Sequence, residues 1–304
     1  MTLNRQSFTD LFFTTALPNL EDVAMEQFES KPDMIPMVFN METSDKWGEQ
    51  DTGVSGLGLV PTKAENANVS YDDVYQTYDK TYTHLTYALA VRYSKEMLDD
   101  EKWGLINKLT KALGRSMFNT RQIQAASIFN NAFTAGAFAG SDGAALCSTT
   151  HPLIAGGTAS NNLSPSADLS VTSLREMCNQ MEDVVDDRGL LVNIDPRYLL
   201  IPNELIWDAE ELLKSALRPD NSSNAINAFQ VKKVDYMVWN YLTDPDAFWL
   251  LSDKDEHALK FIDREAVNTS SDVDWDADAG KVKIRGRFSY GFSDWRGVQG
   301  SQGA

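Results

Sequence analysis

Cysteine and histidine are scarce in this chain. Cys147 and Cys178 are the two cysteines in 304 residues, so a disulfide framework is not indicated and a reducing compartment suits the sequence. His84, His151 and His257 stand alone, with no His-x-x-x-His or Cys-x-x-Cys spacing to build a zinc site. Positive charge is short: 27 Lys and Arg face 44 Asp and Glu, a net charge of −17. No dense Lys/Arg cluster occurs, which argues against specific DNA binding through a basic face. Long apolar runs are missing too. LFFTTAL near the N-terminus is too short, and too weakly basic upstream, for a signal peptide. No stretch approaches the roughly 18 apolar residues of a membrane span.

Catalytic motifs fail one by one. Gly53 to Leu57 reads GVSGL, and a nucleophile elbow needs glycine where Leu57 stands. The Gly53, Gly56 and Gly58 cluster is followed by no Gly–Lys–Ser/Thr, so it is no phosphate loop. Asp272, Asp274, Asp276 and Asp278 form an acidic loop between two expected strands. Counted from Asp272, the EF-hand glycine and twelfth-position carboxylate fall on Ala277 and Lys283, which favours a solvated hairpin tip over a calcium site. A triad would have to join His151 to a distant Ser and Asp, and His151–Pro152 reads rather as a loop-shaping pair. No catalytic, cofactor-binding or metal-ligating residue is assigned.

What the chain does have is a 42% hydrophobic content, enough for one lobed domain or two, and one organising stretch. Ser94 to Phe133 holds good helix formers and no proline. Leu105, Ile106, Leu109, Ala112, Leu113, Met117, Phe118, Ile123, Ala126 and Phe129 give an apolar stripe, with Lys108, Lys111, Arg115 and Arg121 on the remaining face. Gly104 and Gly114 interrupt it. Thr86 to Tyr93 reads as a strand leading in.

Residues 43–83 differ in character. They are polar, Thr- and Tyr-rich and poor in apolar mass, which suggests a long β-hairpin unable to stabilise itself. Two readings stay open: an arm lying on a neighbouring subunit, or an irregular surface excursion.

Downstream, a Gly/Ser-rich loop precedes a helix with a capping box at Ser173–Glu176. Its stripe is Leu174, Met177, Cys178, Met181, Val184 and Val185, and Gly189 is its expected stop. Tyr198–Ile201 reads as a buried strand and Asn203–Ser215 as a helix with Ile206, Ala209, Leu212 and Leu213 inward. Strands across 231–239 and 247–252 are expected to pair through a turn at Thr243–Asp246. Leu259–Ile262 and Val282–Phe292 complete a β-rich tail, and GVQGSQGA is expected to be mobile.

The order of these parts resembles the major capsid proteins of tailed bacteriophages, the Hong Kong 97-like fold, and within it the Mu-type major head subunit. The resemblance rests on Gly140–Ser141–Asp142–Gly143, Ala145–Leu146–Cys147–Ser148, His151–Pro152, Gly156–Gly157–Thr158 and Ser160–Asn161 directly after the long helix. Pro196 to Ser215 and Tyr241 to Leu251 add to it.

The resemblance implies an α+β fold with a spine helix, an extended β-hairpin arm, and peripheral and axial domains. Residues 1–42 would be an N-terminal arm and first peripheral segment, and 43–83 the extended loop. Residues 84–149 would be the peripheral domain with its spine helix, 150–255 approximately the axial domain, and 256–304 returning strands with a flexible C-terminus. It implies self-assembly into pentamers and hexamers of an icosahedral head around double-stranded DNA, held without sequence-specific binding. An encapsulin-type compartment shell is the alternative within the fold, and a hydrolase using His151 the alternative outside it. Assembly in the host bacterial cytoplasm, no cofactor and no membrane contact are expected. A portal and a decoration protein are further partner classes. The long loop begins some forty residues in, so a fused scaffolding segment is not expected: either the chain is already processed or a separate scaffolding protein acts, and the initial Met favours the latter. Lys46, Lys63 and Lys80 lie on the extended loop, where some relatives carry a cross-linking lysine, but no motif transfers that role.

Overall fold

The computed structural model describes residues 17–100, 102–136, 138–153, 156–216, 226–229, 234–274 and 279–304. The chain opens with helix α1 (Leu17–Glu29), a short helix α2 (Ile35–Val38) and strand β1 (Asn40–Thr43). Strands β2 (Gly48–Val54) and β3 (Gln76–Thr83) form a two-stranded ribbon outside the main sheets. Strand β4 (Leu85–Ser94) passes through the short helix α3 (Lys95–Asp99) into α4 (Trp103–Asn130). At 1.5 Å per residue α4 is about 42 Å long.

Helix α4 carries the first core, with Ile106, Leu113, Met117, Ala125, Ala126, Ile128 and Phe129 buried. The sequence stripe is too wide. Leu105, Leu109 and Ile123 are exposed, while Arg121 is buried and pairs with Asp263 at 2.7 Å. Its guanidinium lies 4.6 Å from the Phe261 ring centre, so cation–π contact lets a charged residue occupy a core position. Gly114 is a crossing point: a Cβ there would come within 2.1 Å of the Ala24 carbonyl oxygen of α1. Gly114→Ala should therefore cost about 1–3 kcal/mol by forcing α1 off α4, despite alanine's better helix propensity. Urea unfolding of the two proteins measures it.

After the Gly/Ser-rich loop come β5 (His151–Pro152), β6 (Thr158–Ala159) and α5 (Val171–Glu182). The N-cap of α5 is Ser170, whose Oγ accepts from the Ser173 amide at 3.2 Å while Ser173 Oγ accepts from the Ser170 amide at 2.9 Å. The capping box thus begins three residues before Ser173, because the Ser170 backbone is extended and Ser173 is already helical. The helix ends at Glu182, short of Val184 and Val185, and Gly189 (φ +80°) instead serves a separate turn.

The rest comprises β7 (Tyr198–Ile201), a 3₁₀ turn (Asn203–Leu205), α6 (Ile206–Lys214), β8 (Asp235–Val238), β9 (Phe248–Leu251), β10 (Leu259–Asp274), β11 (Ala279–Phe292) and β12 (Val298–Ser301). One sheet has the order β1-β10-β11-β4, the other β12-β9-β7-β8. Strands β8 and β9 are not a hairpin. Both pair with β7, one parallel and one antiparallel, so β7 lies between them. The intervening loop spends its hydrogen bonds on α4: Asn130 Nδ2 donates to the Tyr241 carbonyl at 3.1 Å and Asn130 Oδ1 accepts from the Thr243 amide at 3.0 Å.

The second sheet separates two cores. Leu199, Ile201, Phe248 and Leu250 face a core with Leu174, Met177, Met181, Leu212 and Leu213. Leu200, Trp249, Leu251 and Val298 face the α4 core with Phe129, Trp239 and Phe261. Burial on both faces explains why YLLI and FWLL are continuous apolar runs rather than alternating ones.

The C-terminus corrects the expectation of mobility. All four residues of β12 are buried and pair with β9. Glycine is needed at Gly300 for close packing, since a Cβ there would lie 2.6 Å from Cys147 Sγ. The β10 and β11 strands are also longer than expected, and Asp272 and Asp274 belong to β10.

Candidate subunit interface

The ribbon is shorter than the sequence suggested. Strands β2 and β3 pair from Gly48 opposite Thr83 to Val54 opposite Gln76, with a bulge between Thr52 and Val54. A Cβ at Gly53 would collide with Thr77 Oγ1 at 2.0 Å, so the bulge depends on glycine there. The Ser55 amide donates to the Tyr75 carbonyl at 2.8 Å and closes the ribbon. Beyond it, residues 56–75 contain no strand, and the expected strand through Val69, Tyr71 and Val74 does not form. Few apolar residues face any core there. Leu59 is 81% exposed, Val60 94% and Tyr71 97%, and Trp47 at the ribbon's start is 73% exposed.

The ribbon's root is fixed firmly. Lys260 Nζ pairs with Asp51 Oδ2 at 2.8 Å, and Ser293 Oγ donates to the same oxygen. The buried Tyr82 hydroxyl in turn donates to Ser293 Oγ at 2.6 Å. Burial works to raise the Asp51 pKa, but the hydrogen bonds from Lys260 and Ser293 outweigh it and hold the carboxyl below its ordinary range. Lys80 Nζ donates to the Ala139 carbonyl, and burial lowers its pKa while Asp142 opposes that. Lys46 pairs with Glu49 at 2.9 Å, and Lys63 is exposed near the tip.

Beneath the root lies a cavity of about 380 Å³ bounded by Asp51, Tyr78, Asp142, Asp187, Trp295 and Arg296. Its floor is a buried polar network. His151 Nδ1 lies 2.6 Å from Asp142 Oδ2 and His151 Nε2 lies 2.9 Å from Asn161 Oδ1. The imidazole stacks on Trp295 at 4.4 Å and 12°. Asn161 Oδ1 also accepts from the Ser148 amide at 2.8 Å, while its Nδ2 donates to the carbonyls of Leu146 at 2.7 Å and Val298 at 3.0 Å. This network ties the Gly/Ser-rich loop to the C-terminal strand. Burial pushes the Asp142 pKa up, but the His151 hydrogen bond and the Ala144 amide prevail and it is lowered.

Both His151 nitrogens are occupied and the ring is fully buried, so it offers no base to a serine and no access to a substrate. Asp274 pairs with Lys281 at 2.7 Å, whereas Asp276 and Asp278 lie outside the described residues. Among the described residues no group of three or more His, Cys, Asp or Glu is placed to hold a metal, and no helix is long and apolar enough to cross a membrane. Cys147 and Cys178 are buried thiols.

A second exposed apolar surface lies on β4, an edge strand of the first sheet. Leu85 and Leu89 are 55% and 51% exposed. A groove of about 230 Å³ runs between β4 and α4, lined by Tyr87, Leu89, Met117, Thr120 and Ile284. The exposed Leu109 and Ile123, and the exposed cations Lys108, Lys111 and Arg115, belong to α4 as well. Sequence reasoning missed this surface because reading Thr86 to Tyr93 as a strand does not say which face stays uncovered, and because Leu109 and Ile123 fit the core stripe of the helix.

Residues 77–300 match the model of a family described as phage capsid protein. No curated protein matches the chain. Among solved structures, a chain of Microbacterium phage Oxtober96 is similar at a TM-score of 0.51 and 12% identity, covering 90% of this chain and 93% of that one. The procapsid of bacteriophage JBD30 is similar at 0.53 and 13% identity, covering 96% and 75%. A virus-like particle from Pyrococcus furiosus is similar at 0.56 and 8% identity, covering 94% and 99%. At these identities the likeness shows the fold, which is Hong Kong 97-like; the family match spans most of the chain and shows descent. The chain belongs to the phage capsid protein family, as a structural subunit of a phage head shell.

Proposed function

We propose that this chain is the major head subunit of a tailed phage. Copies close into the pentamers and hexamers of an icosahedral head that encloses double-stranded DNA, assembled in the host bacterial cytoplasm. The observation that carries this reading is the ribbon and its tip: rigidly rooted, rich in exposed apolar side chains, and too thin to bury them alone. Large apolar side chains left exposed together on one segment mark an interaction site, and a head-to-tail contact between identical copies closes into rings.

The receiving surface on the next copy is the β4 edge with its groove. Apolar side chains of the arm meet Leu85 and Leu89, and the acidic residues Glu65 and Asp73 approach the α4 cations. An unprotected edge strand in a free subunit is otherwise a liability.

Residues 84–149 with β10 and β11 serve as the peripheral domain around α4. Residues 150–255 serve as the axial domain, to which β12 also belongs by its pairing with β9. The succession of short sequence motifs from Gly140 to Asn161 supports placement in the Mu-type branch. The net charge of −17 supports contact with packaged DNA without sequence-specific grip. A separate scaffolding protein, a portal and a decoration protein are the classes of partner open to such a head. The subunit has no enzymatic activity, a reading supported by the committed nitrogens of His151. An encapsulin-type compartment has the same fold, and the family match favours the phage head over it.

Negative-stain microscopy of the purified protein tests the reading. Shells, rings or tubes are the expected result; a species that stays monomeric under every assembly condition contradicts it.

A further inference from the structure

Among the described residues, the open tip of the ribbon is held to its own body by charged contacts at the turn that carries Arg188. Arg188 sits in a tight turn where the Asp186 carboxylate accepts from the amides of Arg188 and Leu190, each at 2.8 Å, and Gly189 takes φ +80°. From this turn Arg188 Nη1 reaches Asp72 Oδ2 at 2.6 Å and Nη2 donates to the Asp73 carbonyl. The guanidinium also lies 5.6 Å from the Tyr75 ring centre. Across the tip, the Gly58 amide donates to the same Asp72 oxygen at 2.8 Å. A Cβ at Gly58 would stand 3.3 Å from both Arg188 Nη1 and Asp72 Oδ2, so the closeness of this junction favours glycine. The amide of Gly58, with Arg188 beside it, holds the Asp72 carboxyl below its usual range. The Asp72 carboxylate thus joins the two legs of the tip, and the guanidinium ties that junction to a turn more than a hundred positions downstream.

We propose that Arg188 is a positioning residue for assembly: it brackets the tip in the free subunit so that the exposed apolar side chains of residues 56–75 are presented outward, already aimed at a neighbour. This rests on the arm being the contact between copies. Ordering a flexible segment costs about 1–2 kcal/mol per residue in backbone entropy, and a segment held in its bound direction before contact avoids part of that cost. Tyr71 and Val60 point into solvent while the bracket holds Asp72, so the device restrains the tip without covering its binding residues.

The test compares Arg188→Ala, the charge exchange Asp72→Arg with Arg188→Asp, and a control in which residues 56–74 are replaced by a short turn. Assembly is followed by light scattering against subunit concentration, and folding by thermal melting. Arg188→Ala should raise the concentration needed for shells about two- to fivefold, the effect of a partly exposed charge pair on association, with melting unchanged. The charge exchange restores the ion pair but leaves the Gly58 amide without its acceptor, so it should recover part of the loss; hydrogen exchange at the Gly58 amide should quicken in Arg188→Ala. An unchanged threshold for Arg188→Ala, while the shortened control forms no shells, overturns the bracket and leaves the arm standing. A lowered threshold overturns it also, since the contact would then hold the arm back. Shells from the shortened control would instead remove the arm reading on which the proposal rests.

Discussion

Replacing residues 56–74 by a short glycine-rich turn leaves a folded subunit that forms no shells. The folded part is safe because the Ser55–Tyr75 hydrogen bond already closes the ribbon and Tyr82, Lys260 and Asp51 anchor it from below. None of the removed side chains lies in either core. What is removed is contact between copies. Burying four of Leu57, Leu59, Val60, Val69, Tyr71 and Val74 on a neighbour at about 1.5 kcal/mol each amounts to about 6 kcal/mol. At about 1.4 kcal/mol per tenfold, that is roughly four orders of magnitude in association constant. Thermal melting and sedimentation of the shortened protein check both halves: a melting temperature within a few degrees of the parent, and no fast-sedimenting particle.

Asn161→Ala is expected to be among the most destabilising single substitutions in the protein. Asn161 is fully buried and answers five partners: the His151 ring, the Ser148 amide, and the carbonyls of Leu146, Val298 and, more distantly, Trp295. Each buried group left without a partner costs about 1–3 kcal/mol, so the loss should reach about 3–6 kcal/mol. Against a typical total of about 5–15 kcal/mol, the variant is marginal at best. Urea unfolding measures it, with Asn162→Ala, one residue along, as the comparison.

The same network sets an acid limit. Asp142 has its pKa lowered from 3.8 in the folded chain. Its contribution is therefore present above the unfolded value and lost as pH falls through the folded one. Asp142→Asn should flatten the decline in stability below about pH 4 and lower the plateau at neutral pH.

The main elements were legible because their patterns are local. Helix α4 shows in its helix-former content and absent proline, and β7 and β9 in their apolar runs. The arm showed in its shortage of apolar mass. What escaped was whatever depends on distant partners. Arg121 reads as a surface cation until Asp263 and Phe261 are placed beside it. Leu105, Leu109 and Ile123 fit a helical stripe as well as Ile106 and Leu113 do, and only the packing of α1 and the sheet decides which face is covered. Strand β12 reads as a loose tail because glycine is common there, yet Gly300 is demanded by Cys147 across a tight contact. The pairing of β8 and β9 with β7 is invisible to a rule that joins neighbouring strands through a turn. His151 was noticed as part of a motif, but its role required Asn161 and Trp295, the latter from the far end of the chain.

The central claim is that this subunit completes itself only on its neighbours. A side-chain-resolution electron microscopy map of the assembled particle tests it most directly. The account predicts residues 56–75 lying across the β4 edge of the adjacent copy, with Val60 and Tyr71 buried there. A map in which the same residues bury themselves on their own subunit, leaving the adjacent Leu85 and Leu89 untouched, would contradict it.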